Sequence, residues 1–347
     1  MAPNDLPLSE YVPESELKTE KHLISRPAFP VFDFHAHFGE LLLGENYAEK
    51  YDTAEVVEKL RNFGVAHIVN LDGFSGKKLD KMLKKTEPFH DFIFTFGNVD
   101  LSRLDDPDFE SYVGRTLRES KEKGIRGLKF WKNISLVLKD KAGKHIPVDD
   151  DRLDVIWQTA AELNLPVLIH IADPVAFFKP VTKKNERYEE LSAHPDWSFC
   201  SPELFRFEEL MRMQENLLSK NPNTTFVIAH VGSHAEDLGK VSEQLDRHSN
   251  MYLDIAERIA ELGRQPYTAK KFFRKYSDRI LFGTDSTPLF CENYGIYYRF
   301  LETEDEYFDY SVLPTPPQGR WKIYGIGLDR TILQKIYTKN AEKLLLK

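Results

Sequence analysis

The sequence predicts an α/β fold of the (β/α)8 TIM-barrel type, a single domain with long loops after strands five and eight. Three observations carry this. Eight short β-rich runs alternate with stretches of helical period, the runs are apolar almost throughout, and the side chains able to bind a metal fall at their C-terminal ends.

The runs are Val31–His35, Ala66–Leu71, Phe92–Asn98, Gly124–Trp131, Pro166–Ile171, Thr225–His230, Met251–Ile255 and Arg279–Thr284. Strands such as Pro166-Val-Leu-Ile and Thr225-Phe-Val-Ile-Ala turn apolar side chains to both faces, which suits a parallel sheet covered on both sides. Between the runs, Thr53–Phe63 places Val56, Val57, Leu60 and Phe63 on one helical face. Asp151–Leu163 opens on an Asp N-cap and turns Leu153, Ile156, Trp157 and Ala160 inward. A doubly wound open sheet is the alternative, but its Gly-rich phosphate turn is missing, since neither GxGxxG nor GxxxxGKS/T occurs.

Residues 1–30 contain Pro3, Pro7, Pro13, Pro27 and Pro30 and show no sustained period. They read as an arm laid over the outside of a barrel that occupies residues 31–347. Two connections exceed simple turns, about Asp173–Pro202 and about Ser286–Gly325, the size of lids or binding walls. Both are aromatic, with Phe177, Phe178, Tyr188, Trp197 and Phe199 in the first. The second holds Phe290, Tyr294, Tyr297, Tyr298, Phe300, Tyr310 and Trp321. Such rings suit packing over the barrel mouth, a subunit interface or a wall for a ring-shaped ligand alike.

Of 347 residues, 41% are hydrophobic and 29% charged, enough apolar matter for a large core and unlike a disordered chain. The net charge of −8 argues against nucleic acid as a partner, whose affinity rests on clustered Lys and Arg. No run approaches the ~18 apolar residues of a membrane span. The polar N-terminus lacks the basic-then-apolar order of a signal peptide, which points to the cytoplasm. Cys200 and Cys291 have no metal-ligand spacing and read as inert thiols. A small-molecule substrate is the expected partner, and a homodimer the expected assembly on frequency alone.

Strand one ends in Phe34-His35-Ala36-His37, strand five in His170, strand six in His230 and strand eight in Gly283-Thr284-Asp285. Residues i and i+2 of a strand share a side, so His35 and His37 are expected to face the barrel axis together, and the other three side chains to converge there. Neutral imidazoles with a carboxylate form the donor set that zinc prefers and manganese, iron or cobalt tolerate. A lone histidine at a strand end is more often a hydrogen-bonded core residue. Five such groups on the rim where barrel active sites form reverse that reading.

This ordered set, with the tail Tyr337-Thr338-Lys339-Asn340-Ala341, resembles the amidohydrolase superfamily from about residue 31 to the C-terminus. The similarity is to the branch that includes aminocarboxymuconate-semialdehyde decarboxylase. The resemblance implies that His35, His37, His170 and Asp285 bind one divalent ion, zinc first and manganese as the alternative. It implies catalytic roles for Asp285 and His230, the latter orienting water or substrate.

The expected activity is hydrolysis of a small polar ester, lactone or amide by a metal-activated water. Non-oxidative decarboxylation of a small aromatic or unsaturated acid is the alternative with the same ligands. Ser286-Thr287-Pro288, after the last Asp, departs from the Tyr-Pro common among decarboxylases of the branch. Lys129 stands where two-metal relatives place a bridging carboxylated lysine. Because the branch is mostly mononuclear, Lys129 is expected to contact substrate instead, together with Trp131, Arg258 and Arg299. Asp72, Asn98, Asp100, Asp254 and Glu257 share the rim, where a hydrogen bond or helix cap accounts for each as well as substrate contact does. A barrel kept only for binding would be expected to have lost ligand residues, and all five are present.

Overall fold

Runs of Val, Ile, Leu and Phe fold into eight parallel strands in the computed structural model, which describes residues 6–7, 10–11, 13–287 and 291–346. Pro3, Pro288 and Phe290 lie outside the described residues. The strands are β1 (Val31–Ala36), β2 (Val65–Phe74), β3 (Ile93–Gly97), β4 (Gly127–Phe130), β5 (Val167–Ile169), β6 (Phe226–Ile228), β7 (Met251–Asp254) and β8 (Ile280–Leu281). They pair in sequence order. The ends also meet: Phe34 N–H donates to the Phe282 carbonyl (2.8 Å), His37 N–H donates to the Ser286 carbonyl (3.0 Å), and Ala36 and Ser286 form a parallel bridge. The sheet is therefore a barrel, as expected.

The covering helices are α1 (Thr53–Asn62), α2 (Gly76–Thr86), α3 (Phe109–Lys123), α4 (Asp154–Glu162), α5 (Phe207–Lys220), α6 (Leu238–Arg247), α7 (Pro266–Lys275) and α8 (Tyr294–Glu302). In α1, Val56, Val57 and Leu60 are buried, and the Asp52 side chain caps the first turn by accepting from Ala54 N–H. The cap ahead of α4 is Asp150, which accepts from Arg152 N–H and opens a 3-10 turn over Asp151–Leu153. No helix of the described residues is long and apolar enough to cross a membrane.

The barrel interior holds Phe32, Phe34, Val69, Leu71, Phe94, Phe96, Leu168, Val227, Tyr252 and Leu281. On β4 the inward positions are Gly127 and Lys129, since Leu128 and Phe130 join the outer core. Gly127 makes room for the Phe96 ring, which a Cβ would meet at 2.4 Å. Ala341 and Leu345 of the C-terminal helix, α9 (Arg330–Leu345, with a π turn over Lys335–Lys339), complete this cluster. Asn340 donates to the carbonyls of Ser277 and Ile280, so α9 closes the end of the barrel where the strands begin.

Both long connections are present, and they differ in kind. The one after β5 holds only short turns and the helix Tyr188–Ala193 before α5. The one after β8 contains α8, whose Tyr294, Tyr297, Tyr298 and Phe300 are buried in the core. Upstream, residues 13–30 form no regular element. His22 and Ala28 N–H groups donate to Asp305 and Glu302 near the end of α8.

Candidate metal centre

At the C-terminal ends of the strands, Asp285 sits among three imidazoles. One carboxylate oxygen lies 3.1 Å from His37 Nε2 and 3.4 Å from His35 Nε2, and the other lies 3.7 Å from His230 Nε2. His35, His37 and Asp285 each offer a ligand atom within 4.8 Å of the others. Simple alternation does not explain this, because Phe34 already faces the barrel interior. A register shift between Asp33 and Ala36 lets His35 turn inward as well.

The ring protons of His35 and His230 are directed away from the cluster. Asp254 Oδ2 accepts from His35 Nδ1 (2.8 Å), and the Ala256 carbonyl accepts from His230 Nδ1 (2.9 Å). A carbonyl can only accept, so the free lone pair of His230 is on Nε2, which is buried without a hydrogen-bond partner among the described residues. Burial, aided by the Lys129 charge, holds His35 below its ordinary pKa. Burial takes His170 down to about 4 and, with His170 beside it, takes His230 well down. For His37 burial acts in the same direction, but the carboxylates of Asp285 and Asp72 outweigh it and raise the ring. Burial alone would raise Asp285; the surrounding histidines keep it ionised.

Imidazole nitrogens converging on a carboxylate, with His35 and His230 oriented by acceptors behind them, fit a divalent cation of the zinc or manganese type. Asp254 also forms a compact group with His35 and His230. Its oxygens, however, already accept from His35 Nδ1 and from the His230 and Ala256 N–H groups, which makes it an orienting residue.

His170 reaches the same cavity but stands outside the tight group. Its ring packs edge-on against His230 at 4.3 Å, and its Nε2 lies 3.3 Å from Asp173, which also pairs with Lys132. Left-handed backbone marks the rim, at His230 (φ 58°), Glu257 (φ 53°) and Asp285 (φ 59°). Non-glycine residues hold such conformations at a cost, and they gather at functional sites.

The cluster forms the floor of a cavity of about 510 Å³. A family profile described as Amidohydrolase matches residues 32–346 of this chain.

The chain belongs to the amidohydrolase family.

Solved structures agree on the fold. A 2,6-dihydroxybenzoate decarboxylase from Rhizobium is 13% identical with a TM-score of 0.55, over 91% of this chain and 98% of that one. A dihydroxybenzoic acid decarboxylase from Polaromonas sp. JS666, with bound manganese and the inhibitor 2-nitroresorcinol, is 13% identical with a TM-score of 0.57, over 91% and 96%. A probable 2-pyrone-4,6-dicarboxylic acid hydrolase from Acinetobacter baumannii, with citric acid bound, is 12% identical with a TM-score of 0.51, over 91% and 99%. No curated protein matches the sequence.

In this amidohydrolase, Lys129, Trp131 and Arg258 line the cavity. Lys129 is buried with Nζ 3.3 Å from His35 Nε2, and burial lowers its pKa to about 8. Trp131 fits because Gly73, at φ +56°, carries no Cβ to strike the indole; the indole Nε1–H has no partner among the described residues. Arg258 donates to the Glu257 carbonyl (2.7 Å) and makes no ion pair among the described residues. Arg299 does not reach the cavity. It pairs with Asp305 at 2.6 Å and lies over Phe308, an anchoring role that corrects the expected substrate contact.

The rim residues divide. Asp72 approaches His37 Nδ1 at 3.5 Å, Asn98 donates to the Lys129 carbonyl, and Asp100 caps a 3-10 turn. The cavity wall also contains Asp173, Arg187, Glu190, Trp197 and Gln318. Arg187 was not legible as a site residue: it is buried in ion pairs with Glu190 and Glu261. The aromatic loops separate likewise, with Phe177 and Trp197 on the cavity wall and the α8 rings in the core.

Proposed function

We propose that this amidohydrolase is a metal-dependent hydrolase of small polar esters, lactones or amides, with His35, His37, His170 and Asp285 as ligands of one zinc or manganese ion. The observation that supports this reading best is the ionised Asp285 carboxylate facing three histidine nitrogens in an open cavity. A bound divalent cation supplies Lewis-acid polarisation and makes water more acidic.

Asp285 accepts a proton from the attacking water at its carboxylate. His230, fixed by the Ala256 carbonyl, directs Nε2 toward the reacting group. Trp131 Nε1–H and Lys129 Nζ provide donors for substrate oxygens, and Arg258 a cation for a substrate anion. The same three donors favour a second reading, in which they hold the carboxylate of an aromatic or unsaturated acid that loses carbon dioxide.

Metal-reconstituted protein incubated with lactones, aryl esters, amides and aromatic acids in water labelled with heavy oxygen separates the two. Label in the product carboxylate supports hydrolysis; release of carbon dioxide with no label in the remaining organic product supports the second reading. Asp285→Asn should abolish turnover while keeping the fold and most of the metal. Unimpaired turnover would remove Asp285 from the mechanism.

A further inference from the structure

The cavity that Asp285 lines contains a second carboxyl group. Glu257 follows β7, lines the same cavity and holds a left-handed backbone at φ 53°. Four contacts fix it there. Its N–H donates to Tyr297 Oη (2.9 Å), Arg258 donates to its carbonyl (2.7 Å), and Gln318 Nε2 donates to that carbonyl (3.3 Å) and to the carboxyl Oε2 (3.1 Å).

No ion pair to the carboxyl is present among the described residues; Arg258 donates to the backbone carbonyl and acts on the carboxyl only through its charge. The charges that face it are Asp285 from β8, Glu261 and Arg258 from its own segment and Glu190 from the β5 connection, with the Tyr297 hydroxyl of α8 beside it. Three of the four charged groups are acids. A carboxyl group in that setting is better accommodated with its proton on.

Resting on the hydrolytic reading, we propose that Glu257 is a further catalytic residue, the acid that protonates the leaving group, while Asp285 is the base. Two carboxyl groups in one cavity, one surrounded by histidines and one facing three acids against a single arginine, are pushed to opposite protonation states, which divides acid from base. The water oxygen bonds to the carbonyl carbon, and one water proton goes to Asp285. The carbon–heteroatom bond breaks with its electron pair on the leaving atom, which takes the proton from Glu257. The proton on Asp285 then returns through solvent to Glu257.

Burial, with Asp285 facing it, pushes the Glu257 carboxyl up to about 7. The competent form is the protonated one, so rates on poor leaving groups should fall as pH rises through about 7.

The test compares metal-loaded wild type with Glu257→Gln, which keeps the Gln318 contact but has no proton to give. On unactivated alkyl esters the variant should lose about 10²–10⁴-fold in kcat, and on nitrophenyl esters, which need no acid, less than about tenfold. Equal loss on both classes would overturn the proposal. Infrared spectra of the holoenzyme supply an independent readout. A protonated-carboxyl band at about pH 6 that titrates away near 7 and is missing from the variant is expected; carboxylate alone at that pH overturns the assignment. If wild type cleaves no ester, the hydrolytic reading falls and the infrared band alone decides whether Glu257 holds the proton.

Discussion

A histidine can offer a lone pair to a cation only if its proton is held elsewhere, and Asp254 does this for His35. The residue is fully buried at the end of β7 and also accepts from the His230 and Ala256 N–H groups. Asp254→Asn preserves shape but presents an amide. If its NH2 faces His35 Nδ1, the ring proton moves to Nε2 and points into the cluster. Metal affinity should fall about 10–100-fold, measured by competition with a chelator, with the fold intact. Unchanged affinity would mean that Asp254 does not set the tautomer. The ring tautomer of His230 is insulated from side-chain substitutions because its proton partner is a backbone carbonyl.

Among the elements, the connection after β5 has little regular structure of its own and is tied down by Arg187. That guanidinium is 2% exposed, pairs with Glu190 and Glu261, and lies 5.5 Å from the Trp321 ring. Arg187→Met leaves Glu261 buried without its cation and should cost about 3–5 kcal/mol. Adding Glu261→Leu should recover most of that loss. Denaturant unfolding gives the energies, and proteolysis across residues 174–206 shows whether the connection has been released. A double variant as unstable as the single one would refute this account.

The same element shows where sequence stops informing. The eight strands were legible because buried parallel strands are apolar on both faces, and the strand-end histidines because HxH is local. The inward turn of His35 was not, since it depends on a register shift against β2. Tyr294, Tyr297, Tyr298 and Leu301 follow helical i, i+3, i+4, i+7 spacing, so the signal for α8 was present, though the density of rings there suits a binding wall equally. Asp254 and Arg187 act on partners 219 and 74 residues away, beyond any local pattern.

Across the whole molecule, the donor set joins distant parts of the chain. His35 lies at the end of β1 with His37 just after it, and Asp285 follows β8, the two strands whose pairing closes the barrel. The seam beneath them is held by Asp33, which accepts from Thr284 Oγ1 (2.7 Å) and Tyr294 Oη (2.6 Å). A cation held there bridges the first and last strands, so its binding energy should act on barrel closure as a whole rather than on one loop. A ligand that binds only the folded state adds about 2.7 kcal/mol at 100 times its Kd. Chelation should therefore lower the melting midpoint, and hydrogen exchange should accelerate together in β1 and β8, with β3 and β4 changing least. Equal exchange in all four strands, or a midpoint indifferent to the chelator, would show that the cation is not part of the seam.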